Sequence, residues 1–167
     1  RPRDVRRSDV RRVTASPPID ADASRRILAV AQRLAGSGDL ASILGVIIDA
    51  LRDLLNADRA TVFELDERTG ELFASSAHGL TSDVRLSIGQ GVVGETARTK
   101  RTINVPDAAA DPRIERAIDL LTGYETRTLL SIPLVDEAQH VVGVAQVLNK
   151  HARGDDGGGA AFDQRDE

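Results

Sequence analysis

From residue 40 onward the apolar positions take on a helical rhythm. Leu40, Ile43, Leu44, Ile47, Ile48, Leu51, Leu54 and Leu55 recur at three- and four-residue steps, so they share one helix face that must cover something apolar. Asp39 stands at the N-cap, where a carboxylate accepts free amides of the first turn. Ahead of it, Ser24 is placed to cap a helix over 25–34, closed by Gly36 and Gly38. After Asn56 the period changes to two. Residues 60–65 predict a strand, 66–70 a turn and 71–77 its antiparallel partner. Residues 86–88 form a third strand, 92–99 a short helix opened by Gly91, and 102–105 a strand halted by Pro106. A loop with a helical turn over 113–121 follows, then a second hairpin from 128–135 and 141–148. Residues 154–161 read as glycine-rich loop. The pattern predicts an α+β fold, a mainly antiparallel sheet of about six strands with helices packed on one face.

Residues 1–23 lack periodicity, contain Pro17 and Pro18, and read as a flexible linker ahead of a domain spanning 24–167. The formal charge of −4 is split: residues 1–12 carry six Arg against two Asp, a local +4, which leaves −8 on the rest. With no aromatic residue among those arginines, a solvated basic linker is expected rather than a nucleic-acid arm. At 41% hydrophobic and 29% charged, the 167-residue chain has an ordinary composition for one soluble domain. Its longest apolar runs, such as 141–147, fall short of the roughly 20 residues of a membrane span, and no signal peptide is visible. No membrane partner and a cytoplasmic setting are expected. The absence of cysteine removes disulfides, thiolate metal sites and cysteine nucleophiles. His78, His140 and His151 lack metal-ligand spacing, and no nucleophile elbow is present, so neither a metal site nor a catalytic residue is assigned.

Two groups of residues carry the remaining chemistry. Gly89-Gln90-Gly91-Val92-Val93-Gly94 leads into a helix whose first amides would stay unpaired and carry the positive end of its dipole, an arrangement that binds anions. A sharp turn into a helix explains the same glycines, and the Lys-Ser/Thr pair of a P-loop is missing. Asp119, Thr122 and Thr126 combine a carboxylate with two hydroxyls, suited to a ribose, a phosphate oxygen or a purine edge; a plain turn is the competing reading.

Taken in order, that glycine turn, Asn104-Val105-Pro106-Asp107, Thr122-Gly123-Tyr124-Glu125-Thr126, and Asn149-Lys150 followed by Phe162, Asp166 and Glu167 resemble a GAF (PAS-like) domain. The resembling domains are those that sense cyclic nucleotides in phosphodiesterases and adenylate cyclases, and the final group resembles their NKFDE motif. The resemblance implies a non-catalytic regulatory domain that binds a 3',5'-cyclic nucleotide, needs no cofactor, forms a homodimer, and controls an output domain C-terminal to Glu167. It implies that the Val92 and Val93 amides meet the cyclic phosphate, that Asp119, Thr122 and Thr126 line a lid, and that Thr61, Ala77, His78 and Gln146 surround the base. Ala77-His78 replaces the bulky residue and Asp frequent there; His78 reads equally as a solvated loop residue. Gln146 presents a donor and an acceptor that fit the adenine edge, which tips the expectation slightly toward cAMP over cGMP. Lys150 and Asp166 are implied to form a structural ion pair away from the ligand. The chain does not begin with Met and ends where the family's final helix would start, so a piece of a longer protein is expected. A dimerisation or signal-relay module with no nucleotide or another small effector, as in bacterial sensor kinases and transcription activators, is the alternative.

Overall fold

The computed structural model describes residues 40–77, 84–114, 116, 119–120, 123–152 and 159–166. The expected linker, the helix over 25–34 and the Asp39 cap lie outside them. Helix α1 spans Leu40–Leu54. It ends where Asn56 turns left-handed at φ 50, a conformation Asn tolerates better than most residues. Strands β1 (Ala57–Asp66) and β2 (Glu71–Ala77) form the expected hairpin. Asp66 Oδ1 closes its turn by accepting the amides of Arg68 at 3.0 Å and Thr69 at 3.3 Å. Strand β3 (Arg85–Ser87), helix α2 (Gly91–Thr99), strand β4 (Ile103–Val105) and the hairpin β5 (Leu129–Val135) with β6 (Val141–His151) follow. Within the stretch expected to be loop, Gly159–Ala160 instead pairs with the end of β6 as a short strand β7.

All the strand pairs are antiparallel, in the order β3-β2-β1-β6-β5-β4. Central strands β1 and β6 are apolar on both faces, so both faces need cover. Ala60, Val62, Leu130, Ala145 and Val147 face one side, where Ile48 of α1 and Phe162 join them. Phe63, Leu72 and Val144 face the other side and pack against Val93 and Ala97 of α2. The two described helices therefore lie on opposite faces, which corrects the expectation of helices on one. The near-continuous apolar run of β6 is the physical reason, because a strand solvated on one face alternates and this one does not.

Helix α2 is pinned to the sheet by one buried polar contact. Thr96 Oγ1 lies 2.8 Å from both the Val92 carbonyl and Ser131 Oγ, and both side chains are fully buried. Thr96→Val is expected to cost about 1–3 kcal/mol in denaturant unfolding, because it leaves the Ser131 hydroxyl without its partner. Adding Ser131→Ala should recover part of that loss.

Candidate ligand cavity

The face of the sheet beneath α2 holds a half-open cavity of about 90 Å³. Strand period two delivers Arg59, Thr61 and Phe63 from β1 to one wall, and Gln146 and Leu148 from β6 beside them. Thr61 and Gln146 are direct cross-strand partners. Gly91, Val92 and Val93 bring the start of α2 to the cavity, and Arg113, Ile114, Asp119, Tyr124 and Thr126 close it from the long connection before β5.

The two valines anchor the start of α2. The Val93 side chain packs with Phe63, Leu72 and Leu86, and that of Val92 with Val105, Ala108 and Leu129. The helix start carries no side-chain cap: Gln90 has extended backbone, φ −87 and ψ 126, and its Oε1 accepts the Ser87 amide instead. Gly94 is the first amide with a helical acceptor, Gln90 O at 2.9 Å. Among the described residues the amides of Gly91, Val92 and Val93 have no acceptor, so the positive end of the helix dipole meets the cavity uncompensated. Close packing of the glycine turn behind them makes this geometry: a Cβ on Gly94 would lie 2.4 Å from Ser87 O.

Asp119 and Thr126 are committed to each other. Asp119 Oδ1 accepts the Thr126 hydroxyl at 2.8 Å and Oδ2 its amide at 2.9 Å, which closes a seven-residue loop at the cavity edge. Both residues line the cavity, where the pair shapes the rim and the Thr126 oxygen keeps acceptor capacity. Ala77 ends β2 opposite Thr61. His78, Thr122 and Glu167 lie outside the described residues.

Three polar lining residues, Arg59, Arg113 and Tyr124, escaped the sequence reading. Arg59 precedes Thr61 by two and so shares its face, a signal that strand period alone carries. Its guanidinium carbon stacks 3.8 Å from the centre of the Tyr124 ring. Arg113 is held by Asp111 at 2.6 Å, and this guanidinium keeps the Asp111 carboxyl below its usual range. The charged lining is therefore two arginines and one aspartate already bonded within the chain, on a protein of net charge −4.

Below the cavity floor, Asn149 is 2% exposed and adopts φ 54 within β6. Its Oδ1 accepts the amides of Arg127 at 2.7 Å and Thr128 at 3.2 Å, and its Nδ2 donates to Glu125 O at 2.8 Å. One side chain thus fixes the backbone that carries Tyr124 and Thr126. Lys150 Nζ bonds Asp166 Oδ2, with only 18% and 11% of the two side chains exposed, and stands near Phe162 on the α1 side of the sheet. That pair lies outside the cavity lining.

The chain belongs to the GAF domain family, a family of regulatory modules, which residues 39–167 match. Among curated proteins it is 35% identical over 121 residues to the dual 3',5'-cyclic-AMP and -GMP phosphodiesterase 11 of Drosophila melanogaster. That match covers 62% of this chain and 8% of the phosphodiesterase. Among solved structures it is similar to the GAF domain of a phosphoenolpyruvate-protein phosphotransferase from Coxiella burnetii, with a TM-score of 0.71 and 21% identity, covering 86% of this chain and 82% of that one. It is also similar to a free methionine-R-sulfoxide reductase from Neisseria meningitidis, with a TM-score of 0.64 and 21% identity, covering 84% and 81%. These structural likenesses establish the shared fold. No helix among the described residues is long and apolar enough to cross a membrane.

Proposed function

We propose that this domain is a non-catalytic sensor that encloses a 3',5'-cyclic nucleotide and passes its closure to an output domain of a larger signalling protein. The observation that carries the reading is the uncapped start of α2, with the Val92 and Val93 amides at a cavity lined by Arg59 and Arg113. Main-chain donors at the positive end of a helix suit a cyclic phosphate, whose single charge needs directional donors more than a strong counter-ion. Thr61 and Gln146, adjacent across β1 and β6, supply hydroxyl and amide groups for the base. Gln146 can meet the adenine N6 and N1 edge, and turned over it can meet guanine, so cAMP is favoured only slightly over cGMP. Similarity to a phosphodiesterase of both nucleotides supports the ligand class.

At about 90 Å³ the cavity is smaller than the roughly 300–1,000 Å³ of ordinary small-molecule sites. A nucleotide therefore enters by moving the Asp119–Thr126 rim outward, and its differential affinity for the opened arrangement is what would drive the output. The same volume favours a second reading, a relay module for a smaller effector. Calorimetry separates them. Both nucleotides should give saturable heats, and Thr126→Ala, which unties the rim from Asp119, should change the affinity severalfold. Absence of heat with cAMP and cGMP at millimolar concentration would eliminate the nucleotide reading and leave the smaller effector.

A further inference from the structure

We propose that Asp58 is a positioning residue for this cavity, holding the Tyr124 ring and the Arg59 guanidinium stacked on it as one wall, and that His151 links this wall to protonation. The inference rests on the cavity being a ligand site. Asp58 is not among the lining residues and acts through its neighbours. Its Oδ2 accepts the Tyr124 hydroxyl at 3.2 Å and lies 3.9 Å from the Arg127 guanidinium. Its Oδ1 lies 2.7 Å from His151 Nε2 at the end of β6. The carboxylate therefore bridges β1, β6 and the segment that closes the cavity. Arg59 makes no ion pair or hydrogen bond among the described residues, so the face of Tyr124 is what holds its guanidinium in place.

Different oxygens serve His151 and Tyr124, so the two bonds do not compete. An imidazolium pins a carboxylate oxygen more firmly than a neutral ring does. Protonation thus fixes Oδ1 and keeps Oδ2 directed at the Tyr124 hydroxyl. Among the described residues, the charged and titratable groups around His151 are Asp58 from β1, and Tyr124 and Arg127 from the closing segment, with Arg59 beyond the ring. Lys150, its neighbour on β6, is occupied by Asp166. Among the described residues, one carboxylate thus faces one imidazole. Burial first, and the Asp58 charge second, push the Tyr124 hydroxyl above its ordinary value of 10.0.

Tyr124 is the only tyrosine in a chain without tryptophan, so tyrosine spectra report on this wall directly. In spectrophotometric titrations the wild type should ionise well above the free-tyrosine value, and Asp58→Asn should lower the midpoint by about 1 pH unit or more. Tyrosine emission should respond to acidification in the wild type and stay flat in His151→Gln. Affinity for cAMP should rise severalfold on acidification in the wild type and stay constant in His151→Gln. His140→Gln should keep the wild-type profile. The proposal is overturned if Asp58→Asn leaves the tyrosine midpoint in place, or if His151→Gln retains the pH response. His151 is 41% exposed, so its variant supplies the test should Asp58→Asn fail to fold. Wild-type tyrosine responses without any nucleotide heat would support the wiring of the wall and remove only the nucleotide assignment.

Discussion

Asn149→Ala is expected to destabilise the domain by about 3–5 kcal/mol and to abolish ligand binding at concentrations that saturate the wild type. The residue is 2% exposed, and its loss leaves the amides of Arg127 and Thr128 and the carbonyl of Glu125 without their buried partner. Alanine also tolerates φ 54 worse than asparagine does. Against a total stability of roughly 5–15 kcal/mol, that is a large fraction. Asn149→Asp separates the two contributions. It tolerates the backbone and keeps an acceptor for both amides, but it turns a carboxylate toward the Glu125 carbonyl, so its unfolding midpoint should fall between those of wild type and alanine. Equal midpoints for Asn149→Ala and wild type in denaturant melts would show that the clamp contributes nothing.

Gly94→Ala should have the second-largest effect, about 1–3 kcal/mol of stability together with at least a tenfold loss of nucleotide affinity. Its new methyl would meet Ser87 O at 2.4 Å, Gly89 N at 2.7 Å and Gly89 C at 3.0 Å, all backbone atoms that cannot rotate away. Relief requires the start of α2 to lift from the turn, which carries the Val92 and Val93 amides with it. Gly45→Ala is the control. A Cβ there finds nothing within 4 Å, and alanine in the interior of α1 should be neutral or add up to about 1 kcal/mol. If the two substitutions give the same unfolding midpoint and affinity, close packing at the turn is not what sets the helix start.

Much of this architecture was legible along the chain. The α1 stripe, both hairpins and the short α2 declare themselves through local periodicity, and their bounds shift by only a few residues in the structure. Which face each helix covers is a tertiary matter, although the near-continuous apolar run of β6 already demanded two covers. Thr61, Val92, Val93 and Gln146, expected from the family resemblance and carried on regular elements, all line the cavity. Arg59 could have been found by stepping back two residues from Thr61. Tyr124 and the Asp119–Thr126 closure sit in an irregular connection, where no period tells inward from outward. The Asn149 clamp spans 21 to 24 residues of sequence, and the Asp58–Tyr124 bond spans 66. Only folding brings those partners together.

The central claim is that main-chain amides at the start of α2 receive the charged group of a cyclic nucleotide. Backbone amide resonances of isotope-labelled domain, followed by NMR during titration with cAMP and with cGMP, address those atoms individually. The account predicts that the Val92 and Val93 amides move together and saturably, among the largest shifts in the spectrum, with Thr61 and Gln146 responding alongside. Saturable binding that leaves both valine amides unmoved would contradict it.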